Sequence, residues 1–318
     1  VIKIGVVGVG AMGVNHARVF FELSQQGLVE LVGVVDINYE RALQVARKFN
    51  TKGFNNHREL IGRVDAVSIA VPTKVHKSVA LDFIEAGIHI LVEKPIADNS
   101  LDAIEIIKAA ERRNITVAVG HIERFNPAVA KLKEVVDKGL LGEIITMSAK
   151  RVGPFAPRVS DVSVLIDLAV HDVDVMRYIG SSEVNKVYAR GRKIRTDSLA
   201  EDYGLIVLTF NNGADGLVET NRLTPYKVRE LVVVGTKGIA YLNYIDQRLT
   251  LYDNEWVREA KIVKEEPLKL ELLDFIEAVS RGKKPKVTAY DGLIALKIAE
   301  EAHRSIELGQ VVSVKYDV

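Results

Sequence analysis

Val1-Ile-Lys-Ile-Gly5-Val-Val-Gly8-Val-Gly10-Ala11-Met12-Gly13 opens the chain, and Leu31-Val-Gly-Val-Val-Asp36 follows after one helical stretch. The first residues are apolar and β-branched and are bounded by glycine, which reads as a buried strand. Gly8, Gly10 and Gly13 then form G-x-G-x-x-G where that strand turns into a helix. The first glycine permits a tight turn and the second lets the backbone approach a pyrophosphate. The third lets the helix pack closely on the sheet, with its N-terminal N–H groups facing the phosphates. Ala11 and Met12 belong to the same cradle. A second strand, Val29 to Val35, ends in Asp36, 23 residues after Gly13. A carboxylate there accepts hydrogen bonds from ribose hydroxyls and repels a 2′-phosphate, so NAD is expected ahead of NADP. Arg41, nearby in sequence, keeps NADP open. A tight turn without any ligand makes the same glycine triplet. The order of strand, glycines, helix and strand-end acid is what favours a dinucleotide.

Outward from this unit the same rhythm continues. Helical periodicity at Tyr39 to Phe49, Val75 to Ala86 and Leu101 to Arg113 alternates with apolar runs at Asp65 to Val71, His89 to Glu93 and Thr116 to Gly120. Such alternation predicts a doubly wound parallel sheet, an α/β Rossmann domain over residues 1–121. Ligands of these sheets lie at the carboxyl ends of the strands. That rule selects Gly8, Asp36, Pro72, Thr73, Glu93, Lys94 and His121, with His76 close behind. From residue 122 the pattern becomes helix, then alternating β-runs separated by turns such as Asn212-Gly213 and Lys237-Gly238. Residues 122–318 are therefore expected to form an α+β domain with a mostly antiparallel sheet.

The whole chain narrows the class. Its 318 residues, 48% hydrophobic and 27% charged, are those of an ordinary globular protein of about two domains. A formal charge of +1 offers no footprint for nucleic acid or an acidic membrane. No apolar run is long enough to span a bilayer, and no signal-like segment precedes the first strand. Zero cysteines exclude disulfides and thiolate chemistry and agree with a cytoplasmic location. No H-E-x-x-H is present, and no metal is expected.

Three groups carry candidate chemistry. Lys94, in Glu93-Lys94-Pro95, sits where a nicotinamide would reach, and a lysine there can hydrogen-bond a substrate hydroxyl and steady developing alkoxide charge. A solvated strand-end lysine paired with Glu93 has the same sequence. Asp167, His171 and Asp174 fall within roughly 60° of one another at helical spacing. A histidine beside a carboxylate can act as a base near neutral pH. The same three residues also read as a structural network or, with further ligands, a metal site. His121, Arg124 and Asn126 stand at the domain crossover and either meet substrate or cap the helix beginning at Pro127. Arg151 and Arg158 flank a Gly-Pro-rich loop and either clamp an anion or lie on the surface.

Together these stretches resemble the glucose–fructose oxidoreductase/inositol dehydrogenase/MocA (Gfo/Idh/MocA) family over nearly the whole chain. The resemblance rests on the glycine triplet, Glu93-Lys94-Pro95, and Asp167-x-x-x-His171-x-x-Asp174. In the tail it adds Pro285, Asp291-Gly292, Ala295-Leu296 and Ile298-Ala299. It implies an NAD(P)-dependent dehydrogenase that oxidises a ring hydroxyl of a sugar or cyclitol. Lys94, Asp167 and His171 would stand at the reacting carbon, and His121, Arg124, Asn126, Arg151 and Asp174 near the substrate. It also implies a homo-oligomer, dimer or tetramer, built on the antiparallel sheet. Many members carry glycines where this chain has Ser163, Val164 and Ala169. With Gly120-His-Ile-Glu-Arg-Phe-Asn-Pro127 and Lys150-Arg-Val-Gly-Pro154, this is most similar to the branch acting at C3 of UDP-N-acetylglucosamine. A free-sugar or myo-inositol dehydrogenase, and a regulator that senses NAD without catalysis, are the alternatives.

Overall fold

The computed structural model describes residues 1–155 and 162–316, which divide into two compact units. The first comprises Val1–Ile122 with Leu268–Leu293, the second Glu123–Pro267 with Ile294–Val318.

In chain order the first unit runs β1 (Ile2–Val7), α1 (Gly13–Gln25), β2 (Val29–Val35), α2 (Tyr39–Lys48), β3 (Lys52–Phe54), β4 (Ala66–Ile69), α3 (His76–Glu85), β5 (His89–Glu93), α4 (Ser100–Arg113) and β6 (Val117–Gly120). The six strands are parallel in the order β3-β2-β1-β4-β5-β6. That is the dinucleotide-binding order, with its reversal between β1 and β4. Ile4, Val6 and Val7 of β1 are all buried, as a strand covered on both faces requires. On one face Ala17, Phe20 and Leu23 of α1 complete the core. Burying each large apolar side chain contributes about 1.5–3 kcal/mol.

The second unit continues with α5 (Pro127–Asp137), β7 (Ile144–Val152), α6 (Val170–Gly180), β8 (Val184–Arg192), β9 (Tyr203–Phe210), β10 (Asp215–Asn221), β11 (Val228–Gly235), β12 (Gly238–Asn243), β13 (Arg248–Tyr252) and β14 (Val257–Glu259). After these come α7 (Pro267–Arg281), α8 (Ala289–Leu308) and β15 (Val312–Ser313). Nine strands form one sheet, β14-β13-β12-β11-β7-β10-β9-β8-β15, in which β7 and β10 pair parallel and the other pairs are antiparallel. Its strands alternate: Ile206, Leu208, Val218, Leu231 and Val233 point to a core shared with Leu132 of α5 and Met176 of α6. The opposite face leaves Val207, Leu217, Tyr241 and Tyr252 exposed. One covered and one open face is the antiparallel pattern. The expected fold class is what the molecule has.

Two features differ from the sequence reading. Division at residue 122 puts everything after it in one domain, whereas Leu268–Leu293 packs with the parallel sheet. Leu268, Leu272 and Phe275 of α7 enter the core of the first unit, and Thr288 forms an antiparallel bridge to Ala118 in β6. Apolar periodicity says that a helix has a buried face but not which sheet buries it. Leu165–Ala169 is also π-helical, wider than the α-helix assumed for the Asp167/His171/Asp174 spacing. Among the described residues, no helix is long and apolar enough to cross a membrane.

The glycine turn explains its own residues. Gly8 has φ +84°, and a Cβ there would lie 2.7 Å from the Ala70 carbonyl oxygen. A Cβ on Gly13 would lie 1.7 Å from the Gly8 carbonyl oxygen. Both obstacles are backbone, so neither can move aside. Gly13→Ala is expected to cost about 1–3 kcal/mol in urea unfolding and to abolish NAD binding; unchanged binding in a titration would contradict the close packing.

Candidate active site

In the first unit, the carboxyl ends of β1, β2 and β5 supply the predicted cofactor residues. Gly10 is the permissive position of the loop: a Cβ there meets nothing within 4 Å. Ala11 is exposed and Met12 half-buried, and no side chain caps the start of α1. A helix N-terminus left in this way favours an anion. The Asp36 carboxylate is held in place: its Oδ2 accepts the N–H of Val9 at 3.1 Å and its Oδ1 that of Asn38 at 2.9 Å. Arg41 Nε approaches the same carboxylate at 3.3 Å, so this cation is already turned toward the acid. Open backbone, an uncapped helix and a fixed carboxylate fit a dinucleotide with free ribose hydroxyls.

Pro72 is exposed and Thr73 half-buried in the short 3-10 turn that precedes α3. His76 lies deeper. Its ring nitrogens face the carbonyl oxygens of Val71 and Pro95, each at 2.9 Å, and burial pushes its pKa down. This histidine ties the end of β4 to the turn after Lys94. Lys94 itself is half-buried, and its backbone N–H donates to Glu93 Oε2 at 3.1 Å. The other Glu93 oxygen, Oε1, faces His16 Nε2 at 3.0 Å. Glu93 therefore meets the protein on both oxygens. Gly120 ends β6, and His121, which follows it, is buried.

In the second unit, Asp167 and His171 are half-buried on the π-to-α segment. Asp167 Oδ2 accepts from Arg222 Nη2 at 2.6 Å, and Arg222 Nη1 donates to the Val162 carbonyl at 2.7 Å. Arg222 is 5% exposed and fixes that acid; it lies just past β10, and no local sequence signal marks it as that acid's partner. Arg222→Met is expected to lower stability by about 2 kcal/mol in urea melts. Lysine should restore only part of it, because one ammonium does not reproduce the forked contact.

The remaining expected substrate residues are engaged inside this unit. Asp174 takes both arms of the Arg124 guanidinium, at 2.6 and 2.7 Å, with Tyr178 stacked against the arginine. Arg151 donates to Asp172 at 2.6 Å and to Glu123 at 2.9 Å over the Tyr244 ring. Burial works against its charge, yet Asp172 and Glu123 hold its pKa above the ordinary value, while burial pushes Asp172 up. Asn126 accepts the Ala128 N–H at 3.1 Å with Pro127 at the first helical position, which is the capping alternative. Its amide also donates to the Tyr244 carbonyl at 3.0 Å. Side-chain type alone could not separate these roles, because an arginine that binds an anion and one that answers a buried aspartate read alike. Arg158 lies outside the described residues.

Comparison with known proteins agrees with this geometry. Residues 2–121 match the family model described as oxidoreductase family, NAD-binding Rossmann fold. Residues 129–241 match the GFO/IDH/MocA C-terminal domain. UDP-N-acetylglucosamine 3-dehydrogenase of Acidithiobacillus ferrooxidans is 31% identical over 288 residues, 87% of this chain and 88% of that one. Its solved structure superposes with a TM-score of 0.89, covering 96% of this chain and 98% of that one at 29% identity. Myo-inositol 2-dehydrogenase of Thermotoga maritima is 27% identical over 325 residues, 96% of each chain. The chain belongs to the Gfo/Idh/MocA family of oxidoreductases and carries that family's NAD-binding Rossmann domain.

Proposed function

We propose that this protein is a sugar or polyol dehydrogenase that oxidises a ring hydroxyl to a ketone, and that its substrate is UDP-N-acetylglucosamine, oxidised at C3. The observation that supports it most is the common edge of Asp36 and Lys94. Both stand at the carboxyl ends of strands of one parallel sheet, the same end that carries the open Gly10 turn after β1. NAD, when bound, supplies the hydride acceptor. Asp36 accepts hydrogen bonds from its ribose, and the Gly8 to Gly13 turn receives its pyrophosphate. Lys94 donates a hydrogen bond to the hydroxyl oxygen being oxidised, which steadies the charge that develops as its proton leaves. His171 takes that proton, with Asp167, anchored by Arg222, as its orienting carboxylate. The substrate's C–H bond breaks with its electron pair leaving as hydride, and the C–O bond becomes C=O. Arg124, Asp174, Arg151 and Asn126, engaged with partners inside the second unit, serve as its framework rather than as contact surface.

The 31% relative supports the nucleotide sugar, and the inositol relative supports a free polyol as the second reading. The open sheet face with Val207, Leu217, Tyr241 and Tyr252 supports assembly of like chains, and NAD chemistry supports a cytoplasmic setting. The test is nicotinamide absorbance with NAD or NADP and UDP-N-acetylglucosamine, glucose or myo-inositol. Turnover with the nucleotide sugar and NAD sustains the proposal. Turnover with myo-inositol alone replaces the substrate and keeps the chemistry; NAD binding with no turnover on any of the three removes it.

A further inference from the structure

His16, Glu93 and Glu271 come from three separated parts of the first unit. His16 lies on α1, Glu93 ends β5, and Glu271 is on α7. One ligand-type atom of each falls within 4.8 Å of the others. His16 is fully buried, with Nδ1 at 2.6 Å from Ser68 Oγ and Nε2 at 3.0 Å from Glu93 Oε1. Glu271 is 2% exposed, and neither of its carboxylate oxygens has a hydrogen-bond partner among the described residues. An ionised carboxylate in that position would carry a full desolvation cost, and Glu93 would repel it.

The other charged groups facing it do not neutralise it. Asp274, on its own helix, adds negative charge and accepts the Lys286 backbone N–H at 2.9 Å. Glu93, beyond burial, is drawn below the ordinary carboxylate range by His16 and by Lys94. Glu271 is driven the opposite way, well above that range, by burial first and then by Glu93 and Asp274. Two neighbouring carboxyl groups pushed apart in this manner divide into one acid and one base.

We propose that Glu271 is a neutral carboxylic acid that shares its proton with Glu93 and so acts as a positioning residue for Lys94. Glu93 holds the Lys94 backbone N–H with one oxygen, so whatever orients that carboxylate sets the start of the turn that carries the lysine. With the proton in place, the Glu271 carboxyl, unpartnered as it stands and with an oxygen within 4.8 Å of Glu93, turns to donate to it. Without it, two like charges separate and the Glu93–Lys94 contact is disturbed. The link to Lys94 rests on the catalytic role proposed for that lysine; the protonation itself does not.

The pH dependence follows in sign. A carboxyl with a raised folded-state pKa binds its proton in the folded chain where the unfolded chain has lost it. Its contribution is complete below the ordinary carboxylate range and is lost as pH rises toward the folded value. Glu271→Gln keeps a donor and has no proton to lose. Between pH 6 and 9 the melting temperature of the parent should therefore fall relative to E271Q by about 4 °C or more. An infrared difference spectrum, parent minus E271Q, should show a protonated carboxyl stretch at neutral pH. Parallel melting curves and no such stretch would overturn the proposal. So would a parent stabilised by zinc or manganese and weakened by a chelator when E271Q responds to neither, because a cation would then balance the cluster.

The positioning role is read separately. Glu271→Leu fills the site without a donor and is expected to lower kcat about 10- to 100-fold with NAD affinity retained. E271Q should recover most of that loss and move the alkaline limb of kcat upward. A protonated Glu271 with unaltered kcat in E271L would overturn the positioning step alone. An active Lys94→Ala enzyme would instead remove the reading on which that step rests.

Discussion

Lys94→Ala is expected to lower kcat by about 10²–10⁴-fold while NAD still binds within a few-fold of the parent. The lysine stands at the carboxyl end of β5, on the edge of the sheet that carries the glycine turn and Asp36. It is half-buried, so an alanine leaves no large apolar cavity and the fold should persist. The loss should therefore lie in kcat, where a group acting only as the proton leaves is felt. His171→Ala is expected to fall in the same range. On the proposed mechanism the double variant should be little worse than either single one, because both groups would serve one proton transfer. Steady-state rates, with NAD affinity from nicotinamide fluorescence, separate the two effects. Single variants that both turn over near the parent rate would exclude this pair as the catalytic groups.

Asp36→Asn is expected to cut kcat/KM with NAD about 100-fold or more, from weaker hydrogen bonds to two ribose hydroxyls. Asparagine is chosen because its amide oxygen still accepts one of the Val9 and Asn38 N–H groups that the two carboxylate oxygens hold, so only one donor is left unmet. An alanine would leave both donors unmet and confuse stability with specificity. The same variant should gain with NADP. It loses the charge that repels a 2′-phosphate, and it loosens Arg41 from its 3.3 Å contact. Arg41 is half-exposed and can then turn toward the phosphate. Comparing kcat/KM for both cofactors checks this. An unchanged ratio would mean that the ribose is bound elsewhere.

The parallel sheet was readable because its signals are local. β2 and β5 begin and end where apolar runs and turn residues put them. The glycine turn and Asp36 were readable for the same reason, since a strand end and a helix start within a few residues define that cradle. Two short strands, β3 and β14, carry too few residues to show a period. The last strand spans only Val312–Ser313 because only those residues pair with β8. The Asp167/His171/Asp174 stripe was legible as residue types and spacing. Its division into two half-buried groups and one aspartate enclosed by Arg124 was not.

The sequence by itself determined the order of the longer elements, the dinucleotide cradle with its preference for NAD, and the positions of Lys94, Asp167 and His171. All of these follow from periodicity and from glycine, proline and acid placement over short spans. Tertiary structure alone decided that Leu268–Leu293 returns to the parallel sheet and brings Glu271 beside His16 and Glu93. It also decided that Arg222 holds Asp167 across 55 residues of chain, and that Arg124 holds Asp174 across 50. A buried charge must find an opposite charge or a proton, but its own position in the chain carries no record of which distant residue provides it.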